Sequence, residues 1–113
     1  MKKYFVLAIT LLFGNVAYAD GHGSVYMLDF KCDQEAYKLF ASMTLEELDG
    51  QFPKGSTKLA RYHDLTSGSG IVLVESEDPT LVMEFANGWS ELCETKVTPV
   101  VNDKKAMAIL TKK

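Results

Sequence analysis

The sequence predicts an α+β domain: one antiparallel sheet with two helices on one face. Three observations predict it. Four stretches rich in β-branched and aromatic residues, near 24–30, 57–65, 71–76 and 95–101, are separated by Gly, Pro and Asp signals. Helix starts at Asp33 and at Asp78-Pro79 follow the first and the third of them. The order β-α-β-β-α-β then has an economical solution, the ferredoxin-like βαββαβ plait, with spatial strand order 4-1-3-2.

The first strand is "SVYMLDF", residues 24–30. Asp33 is the expected N-cap of the first helix, with Glu35 in its first turn and Ala36, Leu39, Phe40 and Met43 at helical spacing. Thr44 with Glu47 forms a capping box for one further short turn, stopped at Gly50. "QFPKGS" is turn chemistry. "TKLARYHDL", residues 57–65, is the second strand. Its alternation sets Leu59, Arg61 and His63 on one face and Ala60, Tyr62 and Asp64 on the other. "SGSG", residues 67–70, is a hairpin tip.

"IVLVES", residues 71–76, is the most apolar strand and belongs at the centre of the sheet. After Asp78-Pro79, the residues Val82, Phe85, Ala86, Trp89, Leu92 and Cys93 mark the buried stripe of the second helix. Pro99 cannot donate to a ladder, so "TKVTPVV", residues 95–101, belongs at a sheet edge. The tail 102–113 fits either a short helix from Asn102, using Ala106, Ile109 and Leu110, or an added strand.

The first nineteen residues have the plan of a bacterial secretory signal peptide. Lys2 and Lys3 form the charged end, an apolar run follows from Phe5 to Phe13, and Ala17 and Ala19 are the small residues a signal peptidase reads. The run is shorter than the roughly 20 apolar residues of a spanning helix. The expected organisation is a signal peptide over 1–19, a flexible mature N-terminus over 20–23, the plait over 24–101 and a tail over 102–113. The expected location is the periplasm or the exterior, with no membrane attachment after cleavage. Removing Lys2 and Lys3 from twelve basic residues leaves ten against fifteen acidic ones, a net charge of −5. An acidic domain without a basic cluster is a poor partner for nucleic acid.

Residues 75–101, "ESEDPTLVMEFANGWSELCETKVTPVV", resemble the second half of a small bacterial family known only as a domain of unknown function. The matching features are Glu75, Asp78-Pro79, Phe85, Trp89, Glu91-Leu92 and Pro99-Val100. That family is placed in the dimeric α/β-barrel superfamily. The resemblance implies a homodimer paired through its sheets around a small cavity. Superfamily relatives include cofactor-free monooxygenases, heme-degrading enzymes and stress-response barrels. The chain departs from the family pattern in its signal peptide, its cysteine pair and its tail.

Four constellations could carry function. Cys32 and Cys93 are the only cysteines; the plait puts the end of the first strand beside the start of the fourth, so a structural disulfide is expected in an oxidising compartment. The alternative is two buried thiols. A pairing in which opposite residues sum to 125 would also set Asp29 across from Lys96. Second, one phase of the sheet puts Met27, Asp29, Arg61, His63, Glu75 and Lys96 on the helix-free face, lining a dimer cavity or forming a solvated interface. His63 is the best single acid–base candidate there. Third, Tyr37, Phe40, Phe85 and Trp89 are read as helix-on-sheet core rather than an aromatic ligand box. Fourth, a cut after Ala19 would expose Asp20-Gly21-His22, whose amine, two backbone amides and imidazole suit Cu(II) or Ni(II); the alternative is an idle terminus. No other cofactor is expected. The expected function is a non-enzymatic, dimeric binding or stress-related protein for a small ligand. An oxygenase or heme-degrading activity using His63 is the enzyme alternative, and it requires His63 to point into a pocket.

Overall fold

The computed structural model describes residues 23–112. The expected signal peptide and Asp20-Gly21-His22 lie outside the described residues. The elements run β1 Ser24–Cys32, α1 Gln34–Ala41, α2 Leu45–Asp49, β2 Ser56–Asp64, β3 Ser69–Ser76, α3 Pro79–Gly88, β4 Cys93–Val100 and α4 Asp103–Leu110. The sheet is antiparallel and four-stranded, in the order β2-β3-β1-β4. This is the order of the ferredoxin-like plait, with β3 internal and Pro99 on the edge strand.

Local sequence accounts for the helix boundaries. The Asp33 carboxylate accepts from the Ala36 N–H at 3.1 Å. The Thr44 hydroxyl accepts from the Glu47 N–H at 3.0 Å while the Glu47 carboxylate accepts from the Thr44 N–H at 2.9 Å, closing the capping box. Asp78 caps α3 through the Thr80 N–H at 2.9 Å, with Pro79 at its first position. The α3 helix ends at Gly88, so Trp89 is its C-cap and Cys93 opens β4; where the helical stripe was expected to continue through Leu92 and Cys93, residues 89–92 form a turn and Cys93 starts the strand. The tail is a helix, α4, capped by Asn102 through the Lys105 N–H.

The core lies between the sheet and α1–α3. Tyr26, Leu28, Phe30 and Cys32 of β1 alternate into it, joined by Val72 and Val74 of β3, Ala36, Val82 and Cys93. Cys32 and Cys93 are directly opposite in the β1–β4 ladder and form a disulfide, with Cα atoms 4.0 Å apart. The same ladder sets Asp29 opposite Lys96, as the sum of 125 requires.

One irregularity matters for the site. β2 pairs Lys58 with Val74 and Ala60 with Leu73, so Leu59 is an extra residue on β2, a β-bulge. Because side chains alternate with period two, one inserted residue inverts the phase of everything after it. Thr57 shares the helix-free face with its partner Glu75, but Arg61 pairs with Val72 and therefore lies on the helix-covered face, as does His63.

Candidate functional site

The bulge splits the six residues expected together. Met27, Asp29, Glu75 and Lys96 are on the helix-free face; Arg61 and His63 are on the other. The helix-free grouping of Arg61 and His63 is thus corrected, and the cause is the register shift at Leu59. Glu75 is 8% exposed and, with Lys105, lines a groove of about 270 Å³ near the start of α4. Asp29 and Lys96 are exposed. The ion pairs of the described residues lie elsewhere, at Lys38–Glu35, Lys58–Asp49 and Arg61–Asp49.

His63 stands exposed on the helix side of the sheet, outside the lining of the cleft between helices and sheet. It sits edge-on to Phe30, Tyr37 and Phe40, with ring centroids 5.7 Å away in each case. Its Nδ1 is 3.1 Å from the Tyr37 hydroxyl. Partial burial and the neighbouring Arg61 charge hold the imidazole below its ordinary range. Burial and the Asp64 charge in turn push the Tyr37 hydroxyl up. Gly70 makes this packing possible. It pairs with His63 across the hairpin, and a Cβ there would run into the Tyr62 carbonyl oxygen and the Phe30 ring. Gly68, at φ 72°, turns the hairpin so that its carbonyl accepts from the Cys32 N–H at 2.7 Å.

Deeper on the same side, the helices leave a cleft over the sheet. Its inner part is an almost wholly apolar cavity of about 40 Å³ walled by Leu28, Phe40, Val72, Phe85, Trp89 and the disulfide, with Arg61 also in its lining. An outer groove of about 450 Å³ continues from it past Leu39, Pro53, Glu84 and Leu92, and Gln51, Phe85 and Trp89 line both. The aromatic walls brace one another: Phe40 lies 4.9 Å from Trp89, and Phe52 stacks on Phe85 at 4.2 Å. The Trp89 indole N–H donates to the Gln51 side-chain oxygen at 3.1 Å across the boundary of the two spaces. The Arg61 guanidinium lies over the Phe52 ring, 5.4 Å from its centroid. Burial lowers its pKa, and Asp49 opposes that effect.

The aromatic residues read from sequence as core thus serve two purposes, packing the sheet and walling a cleft. Gln51 and Phe52, read as turn chemistry, were missed. The signal was an aromatic residue inside a turn-forming stretch, where a solvated loop has no use for one. Among the described residues no group of three or more His, Cys, Asp or Glu is placed to hold a metal ion, and no helix is long and apolar enough to cross a membrane.

Fold and site together define a small α+β plait with an apolar cleft between its helix layer and its sheet. The chain matches the family described as Domain of unknown function (DUF3303) over residues 25–113, and it belongs to that family. No curated protein and no solved structure shows significant similarity to it.

Proposed function

We propose that this protein is an exported, dimeric, non-enzymatic binding protein for a small molecule, held in the cleft beneath its helices. The single observation that carries this reading is the cleft itself. Concave, mostly apolar sites of about 300–1,000 Å³ with a few placed polar groups are the usual form of small-molecule sites, and a groove of about 450 Å³ lined by Leu39, Phe85, Trp89 and Leu92, with Gln51 and Glu84 as polar groups, has that form. The disulfide fits an oxidising compartment, as export predicts.

Self-association is supported by the face opposite the helices. Val25, Met27, Ile71 and Leu73 are half-buried there, and Tyr62 is 66% exposed. Met107, Ile109 and Leu110 of α4 add further exposed apolar surface. A sheet face of this kind is covered in a dimer of dimeric α/β-barrel type, the architecture the sequence resemblance implies. His63 sits at the surface rather than inside the cleft, which favours binding over the oxygenase alternative.

The test is native mass spectrometry of the protein purified from its own cell envelope, with sedimentation of a Leu73→Glu variant. The expected result is a chain beginning at Asp20, a dimer carrying a small molecule, and a folded monomer for Leu73→Glu. A ligand-free monomer in the wild type would overturn the reading.

A further inference from the structure

We propose that the groove on the helix-free face binds a small apolar amino acid as its zwitterion, the ammonium held by Glu75 and the carboxylate by Lys105. This site is separate from the cleft beneath the helices and goes beyond the reading of that cleft.

Glu75 is the reason. Among the described residues two polar side chains are buried, Glu75 at 8% exposure and Ser76 at 2%. Ser76 is satisfied: its hydroxyl donates to the Asp78 carbonyl at 2.8 Å and accepts from the Asp78 N–H at 3.2 Å. The Glu75 carboxylate has no such partner among the described residues, and their ion pairs lie elsewhere. A glutamate is almost never buried without a counter-charge or a donor. Its strand neighbours offer neither charge: Glu75 stands between Thr57 of β2 and Val25 of β1, and Val100 of β4 completes the row at this end of the sheet. What Glu75 lines is open space, a groove of about 270 Å³ that it shares with Val25, Leu73, Val100 and Val101. A carboxylate so placed, among apolar neighbours, is answered by a cation that brings its own N–H donors, which is an ammonium.

Lys105 sets the rest of the ligand. It is the other charged residue of the groove lining, and no ion pair joins it to Glu75. The Asn102 side-chain oxygen accepts from the Lys105 N–H at 2.9 Å, which fixes the first turn of α4 beside the groove. A plain amine would meet the Lys105 charge with nothing to offset it, and a plain carboxylate would meet Glu75. A zwitterion answers both. The four apolar residues take its side chain. The volume falls below the roughly 300 Å³ at which drug-sized sites begin, which suits one amino acid rather than a peptide.

The mature chain is titrated calorimetrically with L-leucine, with 3-methylbutylamine, which lacks the carboxylate, and with 4-methylpentanoate, which lacks the ammonium. The expected result is saturable binding of leucine, tighter than either truncated probe by about tenfold or more, the cost of one unanswered charge. Lys105→Gln, at an exposed site, lowers leucine to the level of the amine. Glu75→Gln lowers it to the level of the acid. The wild-type series and Lys105→Gln decide the matter even if Glu75→Gln does not fold. Trp89, the only tryptophan, lines the cleft on the other face, so its fluorescence stays unchanged. Equal affinity for leucine and either truncated probe, or no binding of leucine, overturns the inference. So does a Trp89 response to leucine that Lys105→Gln leaves intact, which would put the ligand in the cleft and leave the reading of the cleft standing.

Discussion

Cys32 and Cys93 face each other across β1 and β4 as direct register partners, and their bond closes a separation of 61 residues. It ties the strand beneath the cleft to the segment that follows α3. Loop entropy makes such a crosslink worth up to about 4 kcal/mol, mainly by restricting the unfolded chain. Reduction, or Cys32→Ser with Cys93→Ser, is therefore expected to lower the urea midpoint by the equivalent of about 2–4 kcal/mol. Equal midpoints with and without reductant would remove the disulfide from the account of stability.

His63 is expected to titrate below the ordinary imidazole value of 6.5. Its native form binds protons less readily than the unfolded chain does. Its contribution to stability is therefore present above pH 6.5 and is lost as pH falls from there through its lower folded value. The contribution is small, because the ring is largely at the surface. NMR titration of the imidazole protons checks it, and Arg61→Gln is expected to move the midpoint upward by removing a nearby positive charge. A wild-type midpoint at or above 6.5 would contradict the placement of His63 against Phe30, Phe40 and Arg61.

Gly70→Ala is expected to cost about 1–3 kcal/mol, because backbone and the Phe30 ring must both give way. The same change at Gly88, where nothing stands within 4 Å of an added Cβ, is expected to be neutral or stabilising by up to about 1 kcal/mol. Thermal denaturation of the two variants separates a packing requirement from a mere turn residue. Gly70→Ala should also broaden the His63 resonances, since the two residues are paired.

A mature chain beginning with Asp20-Gly21-His22 is expected to bind one Cu(II) per protomer. Calorimetric titration of that chain and of His22→Ala compares them, and chelation by EDTA should release the metal without unfolding the domain. Equal affinity in both proteins would place copper elsewhere.

The plait was legible because its signals are local. Asp33, Thr44 with Glu47, and Asp78-Pro79 cap helices through hydrogen bonds made within three residues of themselves. The cysteine pairing and the partnership of Asp29 with Lys96 followed once the strand order was known, since an unbroken antiparallel ladder has one constant sum. The candidate site was legible only in its parts. Arg61 and His63 were named as cavity-lining residues, with His63 as the acid–base candidate, but alternation counted from Thr57 assigned them the face that Glu75 occupies.

Residue type and spacing by themselves determined the element order, the helix starts, the edge position of Pro99 and the closeness of the two cysteines. Only the tertiary structure decided which face holds Arg61, and that Gln51 lines a cleft with Trp89 and Phe85 while Phe52 stacks on Phe85. The reason is physical. Capping and amphipathic periodicity are short-range and written into neighbouring residues. A β-bulge exists only in the pairing of two strands, and one extra residue, Leu59, is enough to carry a guanidinium from one side of the sheet to the other.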